Sequence, residues 1–212
     1  MDSQPHHASL ETLQDIRNIM DRSARFVSLS GMSGVWAGSV ALAGAVAAYK
    51  LLQRTDFHYS SRSLEGTPDN FDSITLNLMM LAVAVFVVAF IGAFYFTWKK
   101  AKRHGHTLWN NASRQLLVQG FFPLMAGGVF SVVFMYRGCG IFIAPTCLVF
   151  YGLGLISASR HTLSDIRYLG MLDVLLGCCS LFFPGFGLVF WALGFGVLHI
   201  LYGAFMWNKY DK

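Results

Sequence analysis

Asp173 and His199 are the residues of this 212-residue chain whose types and positions could do chemistry. Both lie inside strongly apolar blocks, where an ionisable side chain costs about 2.5–3.5 kcal/mol at a helix centre on insertion scales. Gly185 stands in the tight turn between those blocks, 12 residues after Asp173 and 14 before His199. At about 1.5 Å per residue, two antiparallel helices joined there carry both side chains to nearly equal depth. A hydrogen-bonded Asp173–His199 pair would offset much of each insertion cost. It would also respond to pH, because an ordinary histidine titrates near about pH 6.5. The equal depth supports two readings: a proton-sensing or proton-relay pair, and a static polar clasp between the two helices.

Other chemistry has little to stand on. The sequence holds no phosphate-cradling loop, no nucleophile with a base at motif spacing and no paired carboxylates for acid–base work. Cys139, Cys147, Cys178 and Cys179 show no CxxC or Cys/His ligand spacing and are expected as small packing residues. The expectation is therefore a protein that is not an enzyme, with no metal and no cofactor. Arg25, Arg114 and Arg167 enter three odd-numbered apolar blocks from one side. They would suit anionic ligands or lipid head groups, and snorkelling anchors would occupy the same places. Asn77, Gln115 and Gln119 sit where amides bond across helices.

These residues need a frame, and the composition supplies it. The chain is 55% hydrophobic and 13% charged, against roughly a quarter charged in soluble domains. Six apolar blocks, at about 27–49, 74–97, 116–136, 141–158, 167–183 and 187–207, match the roughly 20 residues that cross a hydrocarbon core. They lack the alternation of β-barrel strands. The expected fold is an all-α integral membrane protein with six transmembrane helices as three antiparallel hairpins, the membrane domain covering 27–207. Residues 1–26 form a cytoplasmic tail in which Leu10, Leu13, Ile16, Met20 and Phe26 mark an amphipathic helix, and 208–212 a short cytoplasmic tail. No cleavable signal peptide is expected, since the first 25 residues are polar. Of the 16 Lys and Arg residues, 12 fall on the side of the termini and 4 on the other. That bias puts both termini in the cytoplasm of a bacterial-type inner (plasma) membrane. The net charge of +5 is then a topology signal and calls for no nucleic-acid partner.

Glycine spacing organises the blocks further. Gly31 and Gly38, Gly120 and Gly127, and Gly170 and Gly177 each stand seven apart, in blocks one, three and five. The returning helices echo each other as "YGLGLI" and "LGFGVL", whereas block two has only Gly92. Three matches at equivalent positions point to three stacked hairpins. Within block one, Ser30, Gly34 and Gly38 recur every four residues beside Ser33, Ala37, Ala41 and Ala45. Such a small-residue surface lets backbones approach where lipid offers no hydrophobic drive. The last hairpin, "YLGMLDVLLGCCSLFFPGFGLVFWALGFGVLHILYGAFMW", resembles the repeat of HdeD-like (acid-resistance-associated) small membrane proteins. The matching residues are Gly170, Gly177, Pro184, Gly196 and Gly203. The resemblance implies three hairpins and, for function, a stress- or envelope-linked membrane role. The expected partners are the lipid bilayer and either a second copy or another membrane protein. Two alternatives stay open: a small transporter or channel using Asp173 and His199, and a sensor signalling through the N-terminal helix.

Overall fold

The computed structural model describes residues 30–53, 73–103 and 111–210. The expected amphipathic N-terminal helix and Arg25 lie outside the described residues. Among those described there are helices and turns and no strand, as lipid demands of a chain that must satisfy its backbone internally. The helices are α1 (Gly31–Gln53), α2 (Ser73–Arg103), α3 (Asn111–Tyr136), α4 (Ile143–Ala158), α5 (Ile166–Leu181) and α6 (Gly187–Tyr210). A single 3₁₀ turn, Gly140–Phe142, leads into α4.

Among the described residues five segments are long and apolar enough to cross a membrane: Gly31–Gln53, Leu76–Arg103, Ser113–Tyr136, Gly140–Ala158 and Gly187–Tyr210. The block expected over 167–183 forms α5, whose 16 residues rise only about 24 Å. Helix α2 runs past its expected end at 97, so Lys99, Lys100, Lys102 and Arg103 are helical. Lysine and arginine favour helix, and cations at a helix C-terminus meet a favourable dipole. Among the described residues two glycines stand at positive φ, Gly138 at 71° in the turn "YRGCG" and Gly185 at 97° in the turn "PGFG".

Large apolar side chains point outward. Phe86, Phe90 and Phe94 share one exposed face of α2, and Phe122 of α3 is 78% exposed. In water that surface would be an aggregation site, whereas in lipid it is ordinary. Cys178 and Cys179 are also exposed, so they do not serve as the packing residues expected of them.

The interior is made by small residues. Helix α4 lies between α3 and α5, and α1 lies between α2 and α6. Added to Gly152, a Cβ would stand 2.5 Å from Gly170 O; added to Gly170, it would stand 2.6 Å from Gly152 O. The α4–α5 seam is thus a mutual backbone contact. In "YGLGLI", Gly152 faces α5 while Gly154 faces Gly120 of α3. Two glycines two residues apart look to opposite sides of the helix, which admits a neighbour on each. Helix α6 repeats the device: Gly196 meets Leu42 of α1, and Gly194 meets Leu148 of α4 and Asp173 of α5. Gly31, Gly34 and Gly38 of α1 meet the backbone of α6 at Gly203, Trp207 and Gly196. The seven-residue glycine pairs therefore do line packing faces, but not always against the next helix in the chain. Helix α2 meets α1 differently, with the Trp36 indole seated on Gly92 and Nε1 donating to Val88 O at 3.2 Å.

One polar latch closes the far end of α6. Lys209 Nζ donates to Asp165 Oδ2 at 2.7 Å and the Tyr210 hydroxyl to the same oxygen at 2.9 Å. The Lys209 hydrogen bond is the main reason the Asp165 carboxyl sits below the usual carboxylate range. Beneath it, Leu163, Ile166 and Met206 form a small buried cluster. The α4–α5 turn and the end of α6 therefore lie on one side of the bundle.

Candidate functional site

Asp173 owes its place to the glycines around it. Gly170, Asp173 and Gly177 fall on one face of α5 at i, i+3 and i+7, and all three are buried. Because Gly170 lies backbone-to-backbone on α4, the same face is pressed into the seam, and Asp173 is 0% exposed. It is also the only Asp or Glu within the six apolar blocks. Neither Oδ1 nor Oδ2 has a hydrogen-bond partner in the described structure.

His199 is 5% exposed and fully engaged. Its Nδ1 lies 2.8 Å from Gly194 O, and its Nε2 lies 2.8 Å from the Tyr151 hydroxyl. A carbonyl can only accept, so Nδ1 carries a proton; in the neutral ring Nε2 then accepts from Tyr151. Trp191, Phe195 and His199 follow one another along α6 at four-residue spacing, with centroids 5.2 and 6.0 Å apart, the first pair tilted and the second stacked. The Tyr151 ring packs against Phe195 at 5.0 Å and His199 at 5.3 Å. An imidazole so held has one orientation.

The expected Asp173–His199 hydrogen bond is not made, although the two residues do meet the same backbone residue. Gly194 is in contact with Asp173: a Cβ there would stand 3.0 Å from Asp173 Oδ1. Its carbonyl is the one His199 holds. Helix α5 is fixed to α4 and α6 to α1, so the two helices joined by the turn at Gly185 are each committed to another neighbour. Both ring nitrogens of His199 are taken before Asp173 can reach them. Around this point α6 is π-helical, over Ala192–Leu198. Such wide turns leave backbone groups out of the regular ladder and recur at functional sites.

Arg114 and Arg167 are exposed, Arg114 in a shallow hollow with Gln115, Val118 and Gln119, as anchoring at a membrane surface requires. Among the described residues no three His, Cys, Asp or Glu side chains gather where they could hold a metal. Two members of the site escaped the sequence reading, Tyr151 and Gly194. Both sit in the echoed glycine segments "YGLGLI" and "LGFGVL", so the signal was there, attached to packing instead of polarity. No protein-family model matches the chain, and no match was found among curated proteins or solved structures.

Proposed function

We propose that the chain is a non-enzymatic six-span protein of a bacterial-type inner membrane, arranged as three helical hairpins with both termini cytoplasmic. It acts through helix packing and association, with a second copy or another membrane protein, in a stress- or envelope-linked role of the HdeD-like kind. The observation that carries this reading is an open edge. Helix α2 is packed along α1 and α3 along α4, but α2 and α3 share no packed interface among the described residues. Their outer faces carry Phe86, Phe90, Phe94, Phe121 and Phe122, all exposed. The lysine and arginine distribution supports the orientation. Donor- and acceptor-labelled copies in liposomes are expected to show energy transfer above the level of random proximity at the same lipid-to-protein ratio. Transfer at the random level would remove self-association.

A second reading, a small transporter or channel, has one observation of its own. The π segment of α6 lies beside the buried Asp173 carboxyl, and transporters place ionisable sites at interrupted helices. In proteoliposomes this reading expects a flux driven by a pH or ion gradient that Asp173→Asn abolishes. No flux, or flux indifferent to the substitution, leaves the first reading standing.

A further inference from the structure

The Asp173 carboxyl is packed among groups that cannot answer its charge. Leu148, itself 0% exposed, comes down on the same glycine, Gly194, that faces Asp173 Oδ1. A bare carboxylate in such a place costs several kcal/mol, and three kinds of partner relieve that cost: a cationic side chain, hydrogen-bond donors, or a bound cation. The first is missing from the surroundings. Among titratable groups, α4 brings Tyr151, and Cys147, which pairs with Ser131 of α3. Helix α6 brings His199, with Tyr202 a turn nearer the Asp165 end. On α5 itself, Cys178 and Cys179 are exposed. Helix α1, beyond α6, carries no titratable side chain before Tyr49. The second kind is engaged at the nearest groups, because Tyr151 donates to His199 and His199 to Gly194 O; the buried hydroxyls of Tyr202 and Ser180 have no partner, but Tyr202 lies toward the Asp165 end and Ser180 two turns along α5. A metal cation asks for several oxygens at once, whereas a proton needs the carboxyl alone.

We infer that Asp173 is a reversible proton-binding site inside the bundle, and that the Tyr151–His199–Gly194 chain senses its occupancy. Binding adds a proton from the aqueous phase to a carboxylate oxygen; release returns it, and no other bond is made or broken. When the proton leaves, a full negative charge stands against Gly194, whose carbonyl anchors the chain that begins at the Tyr151 hydroxyl. The hydroxyl can then turn from His199 Nε2 toward the carboxylate, since a phenol has one proton to give. His199 loses a partner, and its remaining hold is on Gly194 O, in the π segment. Occupancy of one carboxyl is thereby passed to the backbone of α6, an element with a wide turn to spare. Proton binding shares its residues with the transporter reading but does not depend on transport.

Infrared difference spectra of the full chain in lipid nanodiscs, taken between about pH 3 and about pH 11, test this, because the range brackets ordinary carboxyls and tyrosines. The wild type is expected to show a protonated-carboxyl stretch that disappears as pH rises and is missing in Asp173→Asn. In Tyr151→Phe the midpoint of that titration is expected to move. Spectra in which wild type and Asp173→Asn coincide would overturn the site. An unmoved midpoint in Tyr151→Phe would overturn the sensing chain. A measurement on the unmodified protein guards against a variant that does not fold: an apolar carbodiimide is expected to form its adduct on Asp173, more slowly at high pH. Failure to label Asp173 at any pH overturns the site as well. A titrating Asp173 together with no gradient-driven flux would remove the transporter reading and leave this one intact.

Discussion

Gly38→Leu is expected to unseat α6 from α1 and to lower the thermal stability of the detergent-solubilised protein far more than Gly44→Leu. A Cβ at Gly38 would stand 2.6 Å from Gly196 O and 2.9 Å from Ile200 N, both backbone atoms of α6. Backbone cannot rotate away, so the helices must separate along the seam. A Cβ at Gly44 meets only the side chain of Val85, with its Cβ 3.4 Å away and its methyls nearer, and a neighbouring side chain can move with its helix. Overpacking ordinarily costs about 1–3 kcal/mol, and Gly44→Leu belongs in that range. Gly38→Leu adds the loss of dispersion contacts along the rest of the seam, and a cost above ~4 kcal/mol marks an exceptional substitution. Gly31→Leu should act like Gly38→Leu, since its Cβ would lie 2.6 Å from Gly203 O. Gly34→Leu falls between, at 3.0 Å from Gly203 Cα. Gly128→Leu is the control, with nothing within 4 Å, and should leave the melting curve where it is. Melting curves that rank Gly44→Leu with Gly38→Leu would count against a backbone seam between α1 and α6.

That ranking shows what spacing can and cannot specify. The recurrence of Ser30, Gly34 and Gly38 marks a face of α1 that accepts another backbone, because only small side chains permit the approach. It does not say whose backbone. The neighbour in sequence, α2, has one glycine in its core, Gly92, and that glycine takes the Trp36 ring; α6 offers Gly196 and Gly203 and takes the face instead. The same limit applies to Asp173 and His199. Depth follows from rise per residue, so both could be placed at one level from the turn at Gly185. Direction depends on which seam each helix joins, and that is decided by the partner's surface. The glycines two apart in "YGLGLI" and "LGFGVL" did hold the needed clue, since a helix with small residues on opposite sides can take two neighbours. The open edge between α2 and α3 has no such local mark: large apolar side chains face lipid and face other helices alike.

His199→Leu is expected to destabilise the bundle more than Tyr151→Phe, although each removes the same hydrogen bond. In Tyr151→Phe the ring keeps its edge-on contact with Phe195 and its tilted contact with His199, and only Nε2 loses its partner. Interhelical hydrogen bonds in membranes contribute about 0.6 kcal/mol on average and up to about 1.7, so the effect should stay near ~1 kcal/mol. In His199→Leu the Tyr151 hydroxyl and the Gly194 carbonyl both lose the group they bond. Each buried polar group left unmatched costs about 1–3 kcal/mol, and lipid provides no water to relieve it. A loss of roughly 2–6 kcal/mol follows for His199→Leu, concentrated where α6 is π-helical. The two substitutions share the Tyr151–His199 bond, so the double variant should cost less than the sum of the singles. Reversible unfolding in bicelles measures all three. Equal losses in the two single variants would mean that the Gly194 carbonyl does not depend on His199, and would detach the imidazole from the π segment. A larger loss in His199→Leu, with non-additivity in the double variant, would make His199 the group that ties α4 to the wide turn of α6. The glycine seams would then fix where the helices lie, and the histidine would fix the shape of the one helix that departs from regular α geometry.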